Sequence, residues 1–166
     1  CPPFRVDFSE FDIPAAFREE WDRFDLWRYQ ARTTKTVMRA YSMANYPDEN
    51  DVIMLVVRIA IPPPGAPASV PPGVVSSYLF SLKPGDTVSA IGPFGDFHLK
   101  PTQKEAVYIG GGAGMAPLRA HLAHLLETEN SHRKISYWYG ARSKQEIFYD
   151  DYFSRLASEH SNFSFH

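Results

Sequence analysis

The chain has 166 residues, 44% hydrophobic and 22% charged, with a net charge of −2. That length fits one full domain or parts of two, and the composition is that of an ordinary globular protein. The charge balance leaves no basic stripe for a nucleic-acid backbone, and Cys1, the only cysteine, excludes an internal disulfide and any cysteine-held zinc or iron–sulfur centre within the chain.

In chain order, Cys1 to Trp27 reads as a surface excursion, with Asp12 and Pro14 as a helix entry and a short helix over Ala15 to Phe24. Tyr29 to Thr36 is polar and β-prone, and Val37 to Ala44 (VMRAYSMA) predicts a strand. Tyr46 to Asp51 is a turn by composition, and Ile53 to Ile61, rich in Val and Ile, predicts a strong strand. The most apolar run, Val52 to Ile61, contains Arg58 and falls well short of the roughly 20 residues of a membrane-spanning helix. The acidic, aromatic start is unlike a signal peptide, and the single cysteine fits a reduced, cytoplasmic setting. Pro62 to Gly73 holds six prolines in twelve residues, which excludes helix or central strand and predicts a stiff connection.

Val74 to Leu82 predicts a short helix with Ser76 and Ser77 in its first turn, Lys83 to Asp86 a turn, and Thr87 to Ile91 a strand stopped by GPFG. A domain boundary is expected in the polar linker Lys100 to Glu105, dividing the chain into 1–102 and 103–166. Beyond it the texture changes. Ala106 to Ile109 predicts a buried strand, Gly110 to Gly114 a glycine turn, and Met115 to Leu126 a helix striped with Leu118, Leu122, Leu125 and Leu126. Ile135 to Tyr139 is a second strand, Ser143 to Ala157 contains a helix, and Phe163 to Phe165 opens a third strand. This β-α-β-α-β order predicts a parallel sheet with crossover helices.

Three places carry chemistry. In YIGGGAGMAP, Tyr108 to Pro117, glycines let a phosphate approach the backbone and the helix start adds positive potential. No Gly-Lys-Ser/Thr follows, so it is not a P-loop, and Ala116-Pro117 replaces the last glycine of GxGxxG. In RAYS, Arg39 and Tyr41 share one strand face, a cation and a ring suited to a flat anionic ligand, and Ser42 offers one hydrogen bond. In GVVSSYL, Gly73 leads into a serine-bearing helix start, again an anion cradle. Each has a bland counterpart: a tight turn, an ordinary strand, a simple helix cap. His121, His124 and His132 are read as solvated surface without a metal.

The ordered set, R-x-Y-S on a strand, G-x-x-S at a helix start, GPFG, strand–GGGAGMAP–helix and strand–YGARS, resembles the ferredoxin–NADP reductase superfamily, in which a flavin-binding barrel precedes a nucleotide-binding α/β domain. RAYSMANYP, VPPGVVSSYLFSLKPGD, GPFGDF, IGGGAGMAPLRAH and YWYGARSKQEIFY bring the resemblance, over nearly the whole chain, to the F-subunit family of sodium-translocating NADH:quinone reductases. It implies part of a six-stranded antiparallel FAD-binding barrel, followed by the first half of a parallel-sheet nucleotide domain. Arg39 is implied at the FAD pyrophosphate, Tyr41 on the isoalloxazine, and Ser42 near its reactive edge, which makes Tyr41 and Ser42 the catalytic candidates. Val57, Ile59 and Ala60 lie on a strand implied to present main-chain groups to the flavin. Gly73, Val74, Val75 and Ser76 are implied to grip the pyrophosphate. Gly112, Ala113, Gly114, Met115, Ala116 and Pro117 are implied to receive NADH, and Gly140, Ala141, Arg142 and Ser143 to lie near the adenosine ribose. No metal ligand is expected.

The implied chemistry is NADH oxidation through FAD, with electrons passed to a [2Fe–2S] centre outside this chain. The implied setting is a membrane-bound, multi-subunit complex, with this segment on the cytoplasmic face of the bacterial inner membrane. FSEFDIP and EEWDRFDLWRY resemble the family's long insertion before the RAYS strand. Relative to the family, three barrel strands before that insertion, and later β-α units with a Cys-Gly-Pro-Pro turn, are not in this sequence, so the 166 residues alone are not expected to turn over. The reductase component of an oxygenase, a flavin module that passes electrons without oxidising NADH, and a purely structural use of the glycine turns are the alternatives.

Overall fold

A computed structural model describes residues 1–63, 65–67 and 69–166. The proline-rich connection expected over 62–73 lies outside the described residues at positions 64 and 68. Contacts divide the chain into two compact units: residues 1–40 with 57–93, and residues 41–56 with 94–166.

In the first unit, β1 (Phe4–Asp7) pairs antiparallel with β2 (Gln30–Thr33), Val6 opposite Ala31. Between them lie a 3-10 turn (Phe8–Glu10), α1 (Ala15–Arg23) and a second 3-10 turn (Leu26–Arg28). Asp7 caps the first turn by accepting from the Ser9 amide at 3.0 Å. The expected surface excursion is instead a small core. Val6, Phe8, Ile13, Trp21 and Ala31 are buried together, and Phe8 and Trp21 pack ring to ring at 5.9 Å. Its aromatic density was the clue: large flat side chains bury enough area to organise a short segment. The unit also contains α2 (Val74–Ser81), as the sequence predicts.

The second unit is built on a three-stranded parallel sheet in the order β3 (Ala106–Gly110), β4 (Ile135–Tyr139), β5 (Phe163–Phe165). The crossovers are α3 (Ala116–Ala123), which loosens into a π-turn over His124–Thr128, and α4 (Asp150–Glu159). Pro117 stands at the start of α3, where its missing N–H has no intrahelical partner to lose. Asp150 and Asp151 in the first turn of α4 complement the helix dipole. Leu118, Leu122, Leu125 and Leu126 meet Ile135, Tyr137, Phe153, Leu156 and Phe163 in one core.

β3 is not the buried strand its apolar letters predict. Val107 and Ile109 are exposed, as is Trp138 of β4, because these alternate positions point to the sheet face away from the core. The segments expected as strands at 37–44, 53–61 and 87–91 form no ladder among the described residues. Their only β pairing there is an isolated antiparallel bridge, Met43 to Leu55. High β-propensity makes a segment extended, but a strand exists only where a neighbour completes its hydrogen bonds. His121 is not solvated surface either. It stacks on Phe97 at 4.8 Å, and burial lowers the pKa of its ring.

Candidate functional site

In the first unit the helix start of α2 is tied back to the segment before the proline-rich connection. The Gly73 amide donates to the Ala60 carbonyl at 2.7 Å. The Ser76 hydroxyl accepts from the Ala60 amide at 3.2 Å and donates to the Gly73 carbonyl at 3.1 Å, and Ser77 donates to that carbonyl at 2.7 Å. A Cβ at position 73 would stand 2.8 Å from both Ala60 Cβ and Ser76 Oγ, so a side chain there would have to displace one of them. Val75, Ser76 and Ser77 are buried. The two hydroxyls therefore fix the turn's shape, and the groups it offers an anion are the backbone N–H donors of its first turn, Val74, Val75 and Ser76, which a helix leaves without intrahelical acceptors.

Ala60 is thus brought onto Gly73 and Ser76, while Ile59 turns inward against the Phe8–Trp21 core and Val57 is half-buried. Arg39 is exposed and donates to its neighbour's carbonyl, that of Met38, at 2.8 Å. Among the described residues no hydrogen bond or ion pair joins it to the Gly73–Ser76 turn.

In the second unit the strand ends of β3 and β4 converge. The Gly140 amide donates to the Gly110 carbonyl at 2.8 Å. A Cβ at Gly111 would stand 2.3 Å from the Gly140 carbonyl oxygen, a backbone atom that no side-chain rotation can move. Gly112 follows at φ +53°, with open space around its Cβ position, as there is at Gly114. Gly112–Met115 forms one 3-10 turn and hands over directly to Ala116 and Pro117 at the start of α3. Met115 and Ala116 are buried, anchoring the turn while its glycine side stays open. This is the carboxyl end of a parallel sheet, where open α/β sheets place their ligands. Ala141, Arg142 and Ser143 follow Gly140 as an exposed loop, and Arg142 is engaged by Glu146 through both carboxylate oxygens. Tyr41 is half-buried and Ser42 exposed in this same unit. Among the described residues no three His, Cys, Asp or Glu side chains converge as metal ligands, and no helix is long and apolar enough to cross a membrane.

One cluster escaped the sequence reading. Arg119, 5% exposed on α3, donates to both oxygens of Glu49 at 2.8 and 2.7 Å and to the Ala44 carbonyl at 2.8 Å. Its guanidinium lies over the rings of Tyr149 and Tyr152, at 5.0 and 4.7 Å. The hydrogen bond from Arg119 holds the Glu49 carboxyl below the usual carboxylate range. Burial and the neighbouring Glu127, which accepts from Tyr152 at 2.7 Å, push the Tyr152 hydroxyl up. An arginine one residue past Leu118, inside an apolar helix, was the available signal. Its partner, in what reads as a solvated turn, was not.

Residues 26–99 match the oxidoreductase FAD-binding domain, and residues 108–166 the oxidoreductase NAD-binding domain. Among solved structures, the chain is similar to the cytochrome P450 reductase GcoB of Amycolatopsis, with a TM-score of 0.63 and 35% identity, over 78% of this chain and 37% of that one. It is also similar to the cytochrome b5 reductase domain of Ulva prolifera nitrate reductase, with a TM-score of 0.64 and 25% identity, over 82% of this chain and 56% of that one. The F subunit of the Na+-translocating NADH-quinone reductase of Klebsiella pneumoniae is 55% identical over 100% of the chain, and that of Actinobacillus pleuropneumoniae 56% over 99%. Its counterpart in Neisseria meningitidis is 54% identical over 100%. The chain spans 40–41% of the length of these relatives. Aligned from end to end at this level of identity, and carrying both cofactor domains in order, the chain belongs to the F-subunit family of Na+-translocating NADH-quinone reductases.

Proposed function

We propose that this chain is the flavin- and nicotinamide-handling part of a sodium-translocating NADH:quinone reductase, an FAD-dependent oxidoreductase. The observation that carries the reading is the presence, in one chain, of two glycine turns where a Cβ would meet close neighbours, at Gly73 and at Gly111, each leading to a helix start. Two separate anion grips in this order suit one dinucleotide in each domain. The residues fit FAD on the first unit's side. Val74, Val75 and Ser76 offer amides to a pyrophosphate, Gly73 keeps the approach open, and the exposed Arg39 supplies the countercharge. Val57, Ile59 and Ala60 offer main-chain groups. Tyr41 packs on the flavin ring, and Ser42 hydrogen-bonds beside its reactive edge. Gly112, Ala113, Gly114, Met115, Ala116 and Pro117 receive the NADH pyrophosphate and nicotinamide side. Gly140, Ala141, Arg142 and Ser143 border the adenosine ribose, with NADH preferred to NADPH. FAD, when bound, supplies the hydride-accepting chemistry, so no side chain need act as acid or base; the protein aligns, orients and excludes water.

The finer architecture belongs to the same proposal. Residues 1–102 are part of a six-stranded FAD barrel and 103–166 part of the NADH domain. The gap between the two matched domains, at 100–107, supports that division. Electrons pass on to a [2Fe–2S] centre elsewhere in the protein, and other subunits complete a complex at the cytoplasmic face of the bacterial inner membrane.

The test is to denature the FAD-loaded full-length protein and identify the released flavin, then to titrate the holoprotein anaerobically with NADH. FAD release and bleaching are the expected results. Release of FMN alone would refute the reading of Arg39 and the Gly73–Ser76 helix start as two grips on one FAD pyrophosphate, and a flavoprotein that NADH does not bleach would favour an electron-transfer module. Arg39→Ala is expected to weaken flavin retention by about 1.5–3 kcal/mol, the worth of a charge-assisted hydrogen bond. Unchanged occupancy would remove Arg39 from the site.

A further inference from the structure

We propose that Arg119 is a positioning residue for hydride transfer: its clamp on Ala44 and Glu49 fixes the Tyr41–Ser42 segment against the helix that starts at the nucleotide turn. The inference rests on the reading that flavin meets Tyr41 and Ser42 and that NADH meets residues 112–117.

The geometry runs through one compact unit. Arg119 is the fourth residue of α3, which begins directly after the Gly112–Met115 turn. Its side chain reaches the carbonyl of Ala44, two residues beyond Ser42. Ala44 is held on its other side by donating its amide to the Met54 carbonyl at 2.7 Å, and Met43 bridges Leu55. The Tyr46 amide donates to Glu49 Oε2 at 3.1 Å, so the carboxylate that pairs with Arg119 also closes its own loop. Two outer ties act on the same loop. Thr128 donates to Asp48 at 2.6 Å, and Tyr149 donates to the Met54 sulfur at 3.2 Å.

A stabilising contact alone does not require this chemistry. Taking a guanidinium and a carboxylate out of water is expensive, and well-packed apolar side chains of similar volume often hold such a joint as well or better. What the fork adds is direction: two parallel hydrogen bonds to one carboxylate, a third to a main-chain carbonyl, and two ring faces leave the guanidinium one orientation. Hydride transfer demands that kind of control, since reacting atoms must approach to roughly 3–3.5 Å and small misplacements are costly in rate.

The test uses the FAD-loaded full-length protein and two variants, Arg119→Lys and Glu49→Gln. Lysine keeps the charge but loses the fork. Stopped-flow reduction by NADH and by 4-deuterated NADH separates the hydride-transfer rate constant from the NADH dissociation constant. The long-wavelength charge-transfer absorbance reports stacking of nicotinamide on flavin, and amide exchange over residues 43–54 reports the loop. The expected result is unchanged FAD content and little change in NADH affinity. The rate constant falls on the order of tenfold to a hundredfold, the absorbance weakens, and exchange in the loop quickens. The double variant should be little worse than either single one, since both break the same fork. A variant that keeps its rate constant and charge-transfer band while losing thermal stability would overturn the proposal and leave the pair a purely structural tie. If Glu49→Gln does not fold, Thr128→Val, which removes only the outer tie to Asp48, should slow the step about two- to threefold; an unchanged rate there would overturn the proposal. A wild-type protein that NADH does not reduce would overturn the functional reading beneath it, a result distinct from a failure of the clamp.

Discussion

Glu146→Ala should erode the preference for NADH. Arg142 donates its Nε to Glu146 Oε2 at 3.1 Å and a terminal nitrogen to Oε1, four residues along an exposed loop. The two side chains are 67% and 41% exposed, so this pair is worth only about 0.2–1 kcal/mol. Breaking it is cheap. On the proposed placement of Arg142 near the adenosine ribose, its donors facing Glu146 can then turn to a 2′-phosphate, and a charge-assisted hydrogen bond contributes about 1.5–3 kcal/mol. Solvent exposure and the side-chain entropy of Arg142 reduce that gain to about 1–2 kcal/mol, a factor of about 5–30. The assay is the ratio of kcat/KM for NADH and NADPH in the full-length protein. The change should appear in the NADPH value, with the NADH value nearly constant, and Arg142→Ala in the Glu146→Ala background should abolish it. A ratio that moves less than twofold would show that Arg142 does not face the ribose, and would remove the paired carboxylate as the source of selectivity.

Gly111→Ala drives a methyl into the Gly140 carbonyl, and overpacking against backbone should lower stability by about 1–3 kcal/mol and weaken NADH binding; a thermal melt and an NADH titration matching wild type would contradict the geometry of the crevice. Gly73→Ala is compatible with its φ of −61° but sets a methyl 2.8 Å from Ala60 Cβ. It should therefore displace the helix start and weaken FAD affinity about tenfold without loss of folding, read by flavin titration of the apoprotein. Acid should loosen the Arg119 clamp. The Glu49 carboxyl has a lowered folded pKa, so its contribution is present above the ordinary value of 4.5 and is lost as pH falls through the lower, folded value. Thermal midpoints measured from pH 6 to pH 3 should fall faster for wild type than for Glu49→Gln, and parallel curves would show that the pair is not linked to stability.

The nucleotide domain was legible because its signals are local and agree with one another. Apolar strand letters, a glycine turn and a leucine stripe at helical spacing all specify the same β-α-β unit, and β4 forms over the residues the pattern marks, Ile135–Tyr139. The face that β3 exposes was not legible, because Val107 and Ile109 carry no letter that says which side the helices cover. The flavin-side segments show no ladder among the described residues for the opposite reason: their composition is strand-like, but pairing is a property of neighbours far along the chain. At the Gly73 turn the motif marks a helix start that could cradle an anion but does not say which of its groups are left to offer. The hydroxyls of Ser76 and Ser77 look like ligand donors in sequence and are spent on Ala60 and Gly73 in the fold. The Arg119–Glu49 pair joins positions 70 apart, and no local pattern encodes a contact of that range.

Those unpaired and uncovered surfaces carry a last prediction, that residues 1–166 expressed alone will not oxidise NADH. On the nucleotide sheet Val107, Ile109 and Trp138 are 59%, 79% and 50% exposed, an apolar strip across two adjacent strands. Ile91 and Phe94, on either side of the Gly92-Pro93 step, are 74% and 83% exposed. Each large apolar side chain left in water forgoes about 1.5–3 kcal/mol of burial, against a total margin of about 5–15 kcal/mol for a typical domain. Among the described residues the segments at 37–44, 53–61 and 87–91, which border the proposed flavin, show one bridge, Met43 to Leu55, and no ladder, so the strand proposed to carry Arg39 and Ser42 is not fixed by a sheet. A pocket whose walls are not fixed binds its ligand only after the ligand has met the entropy of ordering them. The assay adds FAD and NADH to the purified 166-residue chain and follows ferricyanide reduction beside a thermal melt. The expected outcome is a colourless preparation without a cooperative transition; a yellow, cooperatively melting product that oxidises NADH would mean that these exposed strips and unpaired segments are compatible with a complete active site, and that the barrel expected around the flavin is not needed to hold it.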